Sequence, residues 1–157
     1  MTVGQPVRES ETLASIRTLL LGALALGVVG TGGELILLGH VEMVAQWIPV
    51  IALAVSIPVL LWHAVSPGRG SVRVMQLLMA VFIAAGTLGV GLHFDGNVEF
   101  ERELHPTEQG LEFLRKTIAG ATPVLAPGSM VLLGLVGLAQ TYRHPFAAVS
   151  GGRERDV

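Results

Sequence analysis

Four apolar runs constrain this chain more than any other feature of its sequence. They cover residues 19–39, 47–65, 74–94 and 124–142. At a rise of about 1.5 Å per residue, each run matches the ~30 Å hydrocarbon core of a bilayer. The backbone must satisfy its own hydrogen bonds inside lipid, and none of the runs alternates as a barrel strand does. We therefore predict an all-α membrane protein with four transmembrane helices in an up-down bundle.

Composition supports lipid as the main solvent of the chain. Of the 157 residues, 51% are hydrophobic and 14% are charged, whereas a soluble domain carries about 25% charged residues. The length fits a single domain. There is no cysteine, which excludes disulfides, thiolate metal sites and a cysteine nucleophile. The net charge of −2 gives no sign of nucleic-acid binding.

The first run has the features of either a membrane span or a signal peptide. Arg8 and Arg17 precede it, as basic residues precede a signal sequence. However, the run is long for the apolar core of a signal peptide, and "GTGGELILLG" continues past any small-residue cleavage point. We expect an uncleaved span.

The basic residues predict the orientation of the spans, because cytoplasmic loops are enriched in Lys and Arg. With alternating spans, one side holds Arg8, Arg17, Arg69, Arg73, Arg143, Arg153 and Arg155. The other side holds Arg102, Arg115 and Lys116. We therefore expect both termini, including the tail 143–157, in the cytoplasm of a cell with the chain in its inner membrane. Trp47, Trp62 and Tyr142 lie at predicted helix ends, as interfacial anchors do.

The segment 95–123 is longer than a helix connection needs, and we expect it to form an ordered, acidic outer cap. "DGN" at 95–97 predicts a turn. "VEFERELH" then fits a short extended piece or a helix that ends before Pro106. After Thr107 as N-cap, apolar residues recur at helical spacing and predict a short amphipathic helix on the outer surface, stopped at Gly120. These apolar residues are Leu111, Leu114 and Ile118, with Phe113 beside them.

Carboxylates and imidazoles gather near this outer face and suggest a divalent metal site. They suit zinc, manganese or iron. The candidate ligands are His40, Glu42, His93, Asp95, Glu99, Glu101 and His105. Their spacing matches no defined metal motif, and a solvated acidic rim explains the same residues.

Glu34 lies within the first apolar run, where a lone carboxylate costs several kcal/mol unless it is neutralised, paired or hydrated. His93 is expected at the same depth on the third span. We predict a Glu34–His93 contact between helices, with a protonated or hydrated Glu34 as the alternative.

Small residues recur at helical spacing and predict close helix packing, because lipid supplies no hydrophobic drive between helices. They are Ala23, Gly27 and Thr31 on the first span, Ala85 and Gly89 on the third, and Gly128, Gly134 and Gly137 on the fourth.

Three functional hypotheses follow. The leading one is an accessory or assembly subunit that forms a homo-oligomer or binds another membrane protein, with possible metal binding at the cap. The second is a b-type haem electron carrier, because His40 and His93 lie near one end of the spans and His63 and His144 near the other. The third is a small transporter or channel subunit, although no ladder of ionisable groups crosses the spans. No nucleotide loop or catalytic triad is present, so an enzyme is the less expected class.

Overall fold

The computed structural model describes residues 5–39, 41–120, 124 and 126–147, and this part of the chain contains helices and no strand. Its α-helices are α1 (Gln5–Leu37), α2 (Trp47–Val65), α3 (Arg69–Leu104), α4 (Gly110–Ile118) and α5 (Gly128–Thr141). Short 3-10 turns lie at Val44–Gln46 and Pro145–Ala147. The prediction of an all-helical chain is confirmed.

Three segments are long and apolar enough to cross a membrane: Glu11–Leu37, Val44–Val65 and Arg69–Leu104. These lengths and compositions are those of a helical membrane protein. The fourth apolar run forms α5, which has 14 residues and so measures about 21 Å. Before this helix, residues 121–123 and 125 lie outside the described part of the chain.

Helices α1 and α3 begin before the predicted spans, whereas α2 has the predicted bounds and α5 is shorter than the fourth run. α1 begins well before residue 19, and α3 runs without a break from Arg69 to Leu104. The turn predicted at 95–97 is wrong, because the helix continues through it. Asn97 is buried there, and its Nδ2 donates a hydrogen bond to the Thr117 carbonyl of α4 at 2.9 Å. This contact uses the side chain that would otherwise favour a turn.

Pro106 ends α3, as predicted, and the amphipathic helix predicted after it is α4. Its N-cap is Gln109 instead of Thr107. Thr117 faces inward and is fully buried, whereas Leu111, Leu114 and Ile118 are exposed. The apolar stripe of α4 therefore faces away from the rest of the chain.

The core lies between α1, α2, α3 and α5. Phe82, Met75, Met79 and Leu24 have no exposed surface. α3 and α5 approach closely because glycines face the partner backbone: a Cβ on Gly134 would lie 2.8 Å from the Met79 carbonyl oxygen.

The predicted small-residue packing is confirmed at four positions. A Cβ added at Gly27 or Gly89 would meet Leu133 or Pro127, and Gly134 and Gly137 pack against α3. Gly128 faces open space instead.

Candidate functional site

Polar side chains from four helices meet at one end of the bundle, which we call the pocket end. Arg17 comes from α1, His63 from the last turn of α2, Ser71 from the first turn of α3, and Gln140 from the last turn of α5. Ser66, Pro67 and Gly68 reverse the chain between α2 and α3. This short connection brings His63 and Ser71 into contact.

His63 is buried and hydrogen-bonded through both ring nitrogens. The Gln140 Nε2 donates to His63 Nε2 at 3.1 Å, so the proton of the neutral ring is on Nδ1. His63 Nδ1 then donates to Ser71 Oγ at 3.2 Å. Ser71 Oγ in turn accepts from the Gly68 backbone N–H at 3.0 Å, which caps the start of α3. The network fixes the His63 ring and its tautomer.

His144 lies directly against His63, beyond the end of α5. The two ring centres are 5.4 Å apart in an edge-to-face arrangement, and Phe146 stacks on the other side of His144 at 5.5 Å. Burial lowers the pKa of His144, and the nearby charge of Arg17 and the ring of His63 lower it further. His144 is therefore held as the neutral imidazole at pH 7.

Arg17 caps the C-terminal end of α5. Its guanidinium donates to the carbonyl oxygens of Gln140 at 2.9 Å, Tyr142 at 3.0 Å and Arg143 at 3.3 Å. The last carbonyls of a helix have no partner within the helix, and a cation there also suits the helix dipole. Arg143 itself has a positive φ of 45°, at the point where the chain leaves the helix.

A cavity of about 420 Å³ opens beside these groups; we call it the histidine pocket. Its polar lining consists of Arg17, His63, Gln140, Arg143 and His144 together with Thr18. Its apolar walls are Leu13, Ala14, Pro67, Pro145 and Phe146.

Two buried polar atoms of this lining have no hydrogen-bond partner within the described part of the chain: Gln140 Oε1 and His144 Nδ1. An unpaired buried polar atom costs about 1–3 kcal/mol. A bound polar group would remove that cost.

The predicted metal ligands of α3 lie near the end of that helix that packs against α4, away from the pocket end; we call this the cap end. Because α3 continues as a helix, its ligands separate onto two faces. His93 and Glu101 follow the face of Asn97 at helical spacing, whereas Asp95 and Glu99 are exposed on another face. Glu42 is also exposed. His40 lies outside the described residues.

Glu101 and His105 are the predicted ligands that the fold brings together. His105 Nδ1 lies 3.1 Å from Glu101 Oε2, at the i, i+4 spacing of the helix end. Within residues 5–39, 41–120, 124 and 126–147, no group of three or more His, Asp or Glu side chains has a geometry suited to a metal. The metal site stays a prediction.

The predicted Glu34–His93 contact also stays a prediction. Glu34 is exposed on α1, and His93 is half-buried on α3.

The histidine pair at the pocket end is close, but its geometry does not favour haem. Both nitrogens of His63 are engaged by Ser71 and Gln140, and the ring touches His144 directly. Haem iron would need a free nitrogen on each ring and the space of a porphyrin between them.

Sequence reasoning missed the roles of Arg17, Ser71 and Gln140. Gln140 carries the one visible signal, because it interrupts an apolar run only four residues before His144. In the sequence, Arg17 indicates only a basic flank of the first apolar run.

No known protein family, curated protein or solved structure matches this chain.

Proposed function

We propose that this protein is a four-span protein of the inner membrane, with α5 as the helical part of the fourth span. The contacts at the pocket end support an up-down order: the early part of α1 and the start of α3 meet the ends of α2 and α5. Of the basic side chains that the structure describes, four belong to this end (Arg17, Arg69, Arg73 and Arg143) and three to the cap end. This bias supports a pocket end that faces the cytoplasm and a cap end that faces outward.

Within that membrane the protein acts as an accessory or assembly subunit. The observation that carries this proposal is the filled core. Phe82, Met75, Met79 and Leu24 are completely buried where a path through the bundle would run. A single chain packed in this way offers no route for a solute or ion, so the transporter hypothesis has less support.

The outer surface of α1 is where a partner would bind. Only Leu24 and Val28 of its described side chains are buried. Leu21, Ala25 and Leu35 pack against the core in part, and the apolar surface on the other side of α1 is open to lipid, another copy of this chain or another membrane protein. The exposed apolar residues include Leu19, Leu26, Val29, Ile36 and Leu37.

The test is purification of the tagged protein from native membranes in a mild detergent, followed by mass determination of the protein component by light scattering. We expect a mass well above the 16.5 kDa of one chain, with either several copies or a second protein in fixed ratio. A 16.5 kDa monomer without a partner, obtained also after crosslinking in intact membranes, would refute the subunit proposal. The orientation is tested with a reporter that is active only in the cytoplasm. Fused after Val157, it should be active.

Metal binding at the cap end is a second proposal, supported by the Glu101–His105 pair. A second chain or His40 would have to complete the ligand set. Analysis of the same sample for zinc, manganese and iron tests it: Glu101→Gln should lose the metal, and Glu99→Gln, on the exposed face, should retain it. Equal metal content in both variants would contradict this site.

A further inference from the structure

The histidine pocket has the features of a ligand site that none of the functions above uses. Gln140 is 3% exposed and His144 is 8% exposed, so both side chains are more than nine-tenths buried. Gln140 Oε1 and His144 Nδ1 nevertheless have no protein partner in the described part of the chain. Both residues line the cavity. A ligand must therefore offer a donor to the amide oxygen and a polar contact to the imidazole.

The charge of the pocket indicates an anionic ligand. Arg17 and Arg143 line it, and among the lining residues that the structure describes there is no Asp or Glu. Arg17 has no carboxylate partner among the described residues, because its guanidinium bonds only to backbone carbonyls. Those bonds use at most three of its five N–H groups, which leaves at least two for a ligand. Arginine N–H groups are well suited to phosphate oxygens.

The position of the pocket indicates a lipid. The cavity lies beside α1 at the end of the candidate spans, with Leu13, Ala14 and Phe146 as apolar walls. Exposed Trp62 and Tyr142 lie at the same end of the bundle, where aromatic side chains mark a membrane interface. A headgroup in this pocket would leave its acyl chains in the bilayer beside α1.

We propose that the histidine pocket binds the headgroup of one glycerophospholipid whose phosphodiester is followed by a hydroxyl-bearing alcohol, as in phosphatidylglycerol. The phosphate accepts hydrogen bonds from Arg17, Arg143 and the His144 Nδ1–H. A headgroup hydroxyl donates to Gln140 Oε1. This arrangement satisfies both unpaired atoms and compensates one of the two arginine charges of the pocket.

The test compares two lipids of equal charge. Delipidated protein in detergent is mixed with phosphatidylglycerol or phosphatidylmethanol of the same acyl chains, and bound lipid is counted by native mass spectrometry. Phosphatidylmethanol keeps the phosphodiester but lacks the hydroxyls. We expect one phosphatidylglycerol per chain, bound about tenfold more tightly than phosphatidylmethanol, since one satisfied hydrogen bond at a buried group is worth about that factor. Equal binding of the two lipids to the wild-type chain would overturn the proposal.

Variants locate the site. Gln140→Leu should remove the preference between the two lipids, and Arg143→Gln should weaken both about tenfold. Arg69→Gln is the control, because Arg69 is exposed at the same end but does not line the pocket. Equal loss in Arg69→Gln and Arg143→Gln would show general charge attraction and overturn the proposal.

Soluble ligands distinguish the source of the phosphodiester. Glycerophosphoglycerol and inorganic phosphate, which lack acyl chains, should compete with the lipid only at concentrations at least a hundredfold higher. If either bound as tightly as the lipid, the ligand would be a free solute and the lipid assignment would be wrong.

Discussion

Replacing Gly86 by alanine tests whether the contact between α3 and α5 holds the bundle together. A Cβ at Gly86 would lie 2.8 Å from the Pro127 carbonyl oxygen, 2.8 Å from Val131 Cγ2 and 2.9 Å from the Val131 backbone nitrogen. Favourable contacts between heavy atoms lie at about 3.5–4.0 Å, so the two helices must move apart by several tenths of an ångström. Two of the three atoms belong to the backbone and cannot rotate away.

The free-energy change of this substitution has two opposing parts. Overpacking of this kind costs about 1–3 kcal/mol, and the change from glycine to alanine within a helix returns about 1 kcal/mol. We expect a net loss of up to about 2 kcal/mol in the free energy of unfolding. Gly91→Ala is the matched control on the same helix, because nothing lies within 4 Å of a Cβ at that position. It should gain up to about 1 kcal/mol.

The assay is reversible unfolding in mixed micelles of increasing dodecyl sulfate content, followed by the helical circular dichroism signal. Both variants are measured beside the wild-type chain. The reasoning fails if Gly86→Ala is as stable as Gly91→Ala, since close approach of α3 and α5 would then contribute nothing to stability.

Two further predictions concern the ends of the bundle. Asn97→Leu leaves the Thr117 carbonyl unpaired. It should lower the free energy of unfolding by about 1–3 kcal/mol and speed up amide hydrogen exchange in α4. The control Glu99→Gln, at an exposed position, should leave that exchange unchanged, and equal exchange in both variants would show that Asn97 does not hold α4. The pKa of His144 is below its ordinary value because the residue is buried, so the unfolded chain binds more protons below about pH 6.5. Stability should therefore fall as the pH drops from about 7 towards 5 and be regained as it rises, and His144→Gln should flatten this dependence; an unchanged pH profile in the variant would exclude His144 as the cause.

The apolar runs predicted the helices because a run of this length and hydropathy, placed in lipid, must form its backbone hydrogen bonds within itself. The ends of the helices were not predictable in the same way. "DGN" at 95–97 favours a turn locally, but Asn97 finds its hydrogen-bond partner on α4, and that contact keeps α3 helical. The partner is twenty residues away in the chain, so no local pattern contains it.

The candidate site, too, could be predicted only where local sequence determines it. Its histidines were expected near one end of the spans, and His63 and His144 do lie in contact there. The role of Arg17 depends on where the end of α5 lies relative to α1, more than a hundred residues along the chain. At the cap end, the predicted ligands share an expected depth in the membrane. The helical continuation of α3 nevertheless places Asp95 and Glu99 on a different face from Glu101.

Helix α3 runs without a break and connects the two ends of the molecule. Its 36 residues span about 54 Å, which is longer than the ~30 Å thickness of a bilayer hydrocarbon core. No proline interrupts it between Arg69 and Leu104, so no proline ring breaks its backbone hydrogen bonds. A tilt of about 10° around Ser71, beside the pocket, would swing Glu101 and His105 by roughly 8 Å at the far tip. A movement of α3 at the pocket end would in this way displace the residues at the cap end.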